Sequence, residues 1–253
     1  MSLNLNQIKG ITLGAVRVEE TARGIVFSRF TEEEETLYRE SDPIRGKASY
    51  SRCAATAGVR LQFRTDSSSL LLRLTAEKCT SRRYFSFDVF ANGTLVGCLD
   101  NFSDLEIPQD YTTVEFPLGQ FTKEFCLGEG VKDVCVYFPW SVHPIVEEIA
   151  LDDGASLEAI RPEKKLLVYG DSITQGYDAM RPSNRYVSVL ADRLGARELN
   201  KAIGGEFFWA QLAALSNDDA PDYITVAYGT NDWSMRKQPD FFGRLPELLQ
   251  DFE

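Results

Sequence analysis

The residues best suited to chemistry lie in Gly170-Asp171-Ser172-Ile173-Thr174-Gln175-Gly176. A serine flanked by glycines, just past an apolar run, is a candidate nucleophile, because a sharp turn there leaves Oγ exposed. Two later segments have a matching character, Gly204-Gly205-Glu206 and Gly229-Thr230-Asn231-Asp232. Together they suit acyl transfer. Ser172 Oγ would attack a carbonyl, and the resulting oxyanion needs donors already in place where the charge develops. The candidate donors are the Ser172 N–H, the Gly205 N–H and the Asn231 side-chain NH2. Each feature also has a plainer use: Ser172 as a helix N-cap, Gly204-Gly205 as a turn, Asn231 and Asp232 as caps or loop braces. The combination favours the nucleophile.

Positioning these groups requires strands that end together. Leu166–Tyr169 predicts a buried strand, Glu198–Ile203 a second and Tyr223–Tyr228 a third. Between them, Pro182–Leu194 predicts a helix with Tyr186, Leu190 and Leu194 on one face and Gly195 as its stop, and Glu206–Leu215 predicts another. Alternating strand and helix imply βαβ units and a parallel sheet. Ligands bind outside the carboxyl ends of such strands, where all three loops would lie. Before Ile160 the pattern is different. Val59, Leu61 and Phe63, then Leu70, Leu72 and Leu74, then Phe85, Phe87 and Val89, then Val134, Val136 and Phe138 recur at every second residue. Ala91-Asn92-Gly93-Thr94 predicts a type I′ hairpin. These short half-buried strands imply a β-sandwich of jelly-roll type. The acidic run Glu32–Glu35 is expected to be a solvated loop or helix end.

The three blocks resemble those of the SGNH, or GDSL-type, hydrolase superfamily. Gly170-Asp171-Ser172-Ile173-Thr174 is similar to its first block, Asn200-Lys201-Ala202-Ile203-Gly204-Gly205 to its second and Gly229-Thr230-Asn231-Asp232 to its third. The resemblance covers residues 166–232. It implies a three-layer α/β/α domain, flavodoxin-like, with Ser172, Gly205 and Asn231 in the catalytic roles. The upstream part resembles the accessory domain of two-domain carbohydrate acetyl-esterases. The expected division is therefore a jelly-roll-like sandwich over 1–160 and a hydrolase domain over 161–253, with the boundary between Ser156 and Lys164. The implied substrate is a small-molecule or oligosaccharide ester, and no metal or organic cofactor is implied. Asp171, Tyr177, Trp233 and Trp140 are candidates for the substrate-binding surface, the aromatic rings as stacking platforms for a sugar.

The pattern breaks at the base. The family's last block, Asp-x-x-His, does not occur, and the one histidine, His143, sits in Trp140-Ser141-Val142-His143. The reading expects His143 to be structural and the hydrolase domain to be truncated, with the missing block beyond Glu253. Phe241, Leu245, Leu248, Leu249 and Phe252 form an apolar stripe without a stop signal, which motivates that expectation. A competing reading is a non-catalytic glycan-binding protein with a remnant hydrolase domain. A nucleotide-binding domain is disfavoured, since residues 170–176 have neither a phosphate-loop lysine nor the Gly-x-Gly-x-x-Gly spacing.

The formal net charge of −11 disfavours nucleic acid and anionic membranes as partners. The sequence has no apolar run long enough to span a bilayer and no signal-peptide pattern. Five cysteines without paired spacing argue for reduced thiols and a cytoplasmic protein. Oligomeric state is not encoded in any of these features.

Overall fold

A computed structural model of the protein describes residues 1–45, 47–106, 114–215 and 220–234. The stripe from Phe241 to Phe252 lies outside them. The chain opens with helix α1 (Leu5–Ile11), strands β1 (Thr12–Leu13), β2 (Arg17–Thr21) and β3 (Gly24–Ser28), and helix α2 (Glu32–Arg45). Strands β4 (Arg60–Thr65), β5 (Ser69–Lys78), β6 (Ser86–Ala91), β7 (Thr94–Asp100), β8 (Gly119–Cys126), β9 (Lys132–Tyr137), β10 (Val142–Leu151) and β11 (Glu158–Ala159) follow. One antiparallel sheet has the order β2-β3-β10-β5-β8. The other runs β1-β4-β9-β6-β7, with β11 beside β4. Alternate residues of the two sheets meet in one core, where Phe138 packs edge-on against Phe27 and Phe87 at 4.8 Å each. The expected hairpin is present: Ala91 pairs with Thr94, and Asn92 and Gly93 have the positive φ of a type I′ turn.

Strand β12 (Lys164–Gly170) starts a parallel sheet. It lies between β13 (Ala196–Asn200) and β14 (Tyr223–Ala227). The helical pieces are α3 (Ser172–Gln175), α4 (Tyr186–Leu194), α5 (Ala210–Ala213) and α6 (Thr230–Ser234). The period of two in β12 sorts its side chains. Leu166 and Val168 pack with Val187 and Ala191 of α4. Leu167 and Tyr169 face the other way, onto Phe30, Tyr38, Cys53 and Leu212. The second face is therefore covered by α5 together with α2 and its flanks, so the N-terminal part of the chain supplies much of this layer.

The acidic run Glu32–Glu35 is a helix end, as expected, but that layer takes Glu34 out of solvent. These residues form the first turn of α2, and Glu34 is buried. The Thr31 N–H donates to Glu34 Oε2 at 2.7 Å, and the Glu34 N–H to Thr31 Oγ1 at 3.1 Å, a reciprocal capping box. Glu34 also pairs with the buried ammonium of Lys201, which donates to Arg29 O at 2.8 Å.

Other boundaries shift for local reasons. The helix expected from Pro182 is a 3-10 turn over Pro182–Asn184 followed by α4, because Asp88 takes both the N–H and the hydroxyl of Ser183. The buried face of α4 is Val187, Ser188 and Ala191, whereas Tyr186 is exposed. Strand β13 stops at Asn200, whose side chain accepts the Ala202 N–H at 2.9 Å. The helix expected at Glu206 begins only at Ala210. Before it, Asn231 Nδ2 donates to Glu206 O, the carbonyl that would accept the first intrahelical bond.

The Lys201–Glu34 pair gives a stability test. Lys201→Met leaves a buried carboxylate unpaired and is expected to cost about 3–5 kcal/mol. Adding Glu34→Gln removes that charge and keeps the cap acceptor, so the double variant is expected to be more stable than Lys201→Met alone in urea unfolding.

Candidate active site

Strand β12 pairs in parallel with both neighbours, Gly170 opposite Ala227 and Val168 opposite Asn200. The loops bearing Ser172, Gly205 and Asn231 thus leave the same edge of the sheet. Direct bonds join them. The Gly204 N–H donates to Gln175 Oε1 at 2.6 Å, and Asn231 Nδ2 donates to Glu206 O at 2.8 Å. The Asp232 carboxylate reaches the Phe208 N–H at 3.4 Å.

Ser172 is the first residue of α3 and is half-buried. Asp171 caps that turn by accepting the Ile173 N–H at 3.0 Å, and Gly176 ends it in the left-handed region. A single helical turn is not stable by itself. Its carbonyls are held from outside: Thr174 O accepts from Asn200 Nδ2 at 3.1 Å, and Gln175 O from Arg185 Nε at 3.0 Å. Behind them lies a buried ion pair, Arg185–Glu198, with Asn200 Nδ2 donating to Glu198 Oε1 at 2.8 Å. Gly170 allows the turn to sit this close, since a Cβ there would lie 2.5 Å from Thr174 Cβ and 2.8 Å from Ala227 O.

The second loop is gripped from the N-terminal part of the chain. Arg52 Nη1 donates to Gly204 O, and Lys47 Nζ donates to Gly205 O at 2.6 Å. A trans peptide points its C=O and N–H in opposite directions. Holding Gly204 O on Arg52 therefore fixes where the Gly205 N–H points, and Gly205 itself adopts a positive φ of 76°.

The other candidates separate. Asp171 is buried, and its role in the structure is the α3 cap. Tyr177 is half-buried, with its ring beside Gly204 and 4.8 Å from Trp140. Trp140 is only 2% exposed and its Nε1 donates to Ala179 O at 2.7 Å, so it packs the seam below the site and presents no free face to a sugar. Trp233, on α6, is 75% exposed. His143 lies in β10 opposite Glu77, with Nδ1 3.9 Å from that carboxylate, and burial lowers its pKa. The sequence reading gave no role to Gln175, Arg185, Arg52 or Lys47. Gln175 lies in the first block, but no local signal links Arg52 or Lys47 to a loop some 150 residues away.

Residues 168–252 match the family model of the GDSL-like lipase/acylhydrolase family. That match begins within β12 and takes in the parallel-sheet part from Val168 onward. Among solved structures, a salicylyl-acyltransferase from a tetracycline biosynthetic pathway is similar at 25% identity and a TM-score of 0.73, covering 95% of this chain and 67% of its own. A family two carbohydrate esterase from Cellvibrio japonicus is similar at 14% identity and a TM-score of 0.59, covering 100% and 74%. A carbohydrate esterase family 2 enzyme from Corynascus thermopiles, with a carbohydrate binding domain, is similar at 18% and 0.51, covering 78% and 68%. No curated protein sequence matches the chain.

Two outcomes follow from the packing of the loops. Gly170→Ala is expected to cost about 1–3 kcal/mol by overpacking against Thr174 and Ala227. The second outcome concerns Asp171 and Asp232, whose pKa values are both raised, first by burial. A raised folded-state pKa penalises the ionised form. The penalty is full above that pKa and fades as pH falls through it toward the unfolded value. Asp232→Asn is therefore expected to reduce the stability gained by this pair on moving from neutral pH into the carboxylate range, read from unfolding midpoints across pH.

Proposed function

We propose that the chain is a serine esterase of the SGNH type acting on small acyl esters, with acetyl esters of a carbohydrate as the preferred class. Ser172 Oγ attacks the ester carbonyl, its proton passing to a histidine base outside the described residues, while the Ser172 N–H, the Gly205 N–H and the Asn231 amide receive the oxyanion. The ester C–O bond then breaks and the alcohol leaves with that proton, giving an acyl-enzyme, which water cleaves to the free acid, regenerating Ser172. The observation that carries this reading is the bonding of three successive loops at one sheet edge, Gln175 to Gly204 and Glu206 to Asn231. Hydrolysis and transfer of an acyl group share the acyl-enzyme step, so similarity to both an acyltransferase and carbohydrate esterases fits one site. The sandwich supports the two-domain reading. Taking β3 to β10 as eight successive strands, its sheets run first-eighth-third-sixth and second-seventh-fourth-fifth, the order of a jelly roll. Trp233 and Tyr177 are the rings proposed to meet the sugar.

The placement of His143 beside Glu77 favours a second reading, a non-catalytic glycan-binding protein whose hydrolase domain is a remnant. Hydrolysis of p-nitrophenyl acetate separates the two. The esterase reading expects Ser172→Ala to lose the activity and Asn231→Ala to lower kcat about 10²–10³-fold. Equal rates for the parent and Ser172→Ala would favour the binder. Arg52→Met is expected to lower kcat more than it changes KM, because Arg52 orients a donor rather than touching the ester.

A further inference from the structure

The Gly205 N–H lies inside a four-residue turn. The Glu206 N–H donates to Ile203 O at 3.1 Å, Gly205 has a φ of 76°, and Gly204 is not in the positive region. That combination is a type II turn. Its central peptide carries Gly204 O on one side and the Gly205 N–H on the other. Turning this peptide over would give a type I turn with the same ends, through about 150° in ψ of Gly204 and about 170° in φ of Gly205. Two central glycines place no side chain in the way. The direction of the Gly205 N–H therefore depends on what holds the turn from outside.

One holder is Gln175, which is fully buried. Its Oε1 accepts the Gly204 N–H at 2.6 Å, and its Nε2 donates to Trp140 O at 2.9 Å. One partner needs an acceptor and the other a donor, so both fix the amide in one orientation. Trp140 belongs to the corner between β9 and β10 of the sandwich. That corner is tied to the segment after α3. Trp140 Nε1 donates to Ala179 O at 2.7 Å, and Arg82 grips Asp178 with bonds of 2.8 and 3.1 Å. The Tyr177 ring sits between Trp140 and Gly204, where a Cβ on Gly204 would lie 2.5 Å from it.

We propose that Gln175 is a positioning residue through which the sandwich sets the place of the Gly205 N–H. Gln175 fixes the peptide before Gly204, and Arg52 fixes the peptide after it. Being fully buried, Gln175 does not reach the ester. The proposal rests on the esterase reading for what the Gly205 N–H does, and not for how it is held.

A protonated glutamic acid has the same length and can still accept from Gly204 and donate to Trp140. Once ionised it has no donor, and its oxygen faces Trp140 O. The charged groups bonded to α3 and to the turn are Asp171, Arg185 with its partner Glu198, Arg52 and Lys47. All are common to parent and variant, so the ratio of the two at each pH isolates the new acid. Gln175→Met, which removes both bonds, is expected to lower kcat for p-nitrophenyl acetate at least about tenfold with KM changed less than about twofold. For Gln175→Glu, kcat relative to the parent is expected to rise as pH falls and the acid protonates. In 15N-labelled protein, the Gly205 amide signal is expected to leave the parent's position in Gln175→Met and in ionised Gln175→Glu, and to return toward it on protonation. The proposal is overturned by a parent-like kcat for Gln175→Met, by a kcat ratio for Gln175→Glu that is flat across pH, or by a Gly205 signal at the parent's position in both variants. The esterase reading fails separately, if the parent has no turnover that Ser172→Ala removes. The Gly205 signal then decides the proposal alone.

Discussion

The structure depends on a buried polar seam centred on Asn200. Its side chain donates to Thr174 O and Glu198, and accepts from Ala202 N–H and Arg29. Arg29 is fully buried and donates to Ala55, Asn200 and Ala202 carbonyls. Burial brings its pKa down to about 10, which leaves it charged at neutral pH. Burying such groups without partners would cost several kcal/mol per ion, roughly the whole stability of a domain for two of them. Here the partners come from both ends of the sequence, so the sandwich side and the parallel sheet are satisfied only when docked together.

This seam turns a weak local motif into a positioned one. A one-turn helix and two glycine-rich loops have little intrinsic order. Arg185 and Asn200 hold the carbonyls of α3, Gln175 holds Gly204, and Arg52 and Lys47 hold the carbonyls on either side of the Gly205 N–H. Donors fixed in advance are what stabilisation of a developing charge requires, since they need not reorganise during the reaction. The N-terminal part of the chain thus supplies both much of one layer on the parallel sheet and cations for its loops.

Much of this arrangement was legible in the sequence because the signals are local. Period-two runs marked the strands of both sheets, Asn92-Gly93 marked a turn by its positive φ, and three glycine-bearing blocks marked the ends of three parallel strands. What was not legible depends on tertiary partners. Glu34 looks solvated within an acidic run until Lys201, distant in sequence, is placed beside it. Trp140 looks like a platform until Ala179 and Tyr177 cover it. The segment after Glu206 has a helical pattern, yet Asn231, distant in sequence, takes the Glu206 carbonyl that a helix would offer to the Ala210 N–H. In each case a long-range polar contact overrode a local preference.

The most direct test of the convergent geometry is a crystal structure of the protein treated with diethyl p-nitrophenyl phosphate. The account expects a single phosphoryl adduct on Ser172, with one phosphoryl oxygen about 2.7–3.1 Å from the Ser172 N–H, the Gly205 N–H and the Asn231 amide nitrogen. An adduct on another residue, or one on Ser172 whose oxygens face away from Gly205 and Asn231, would contradict it.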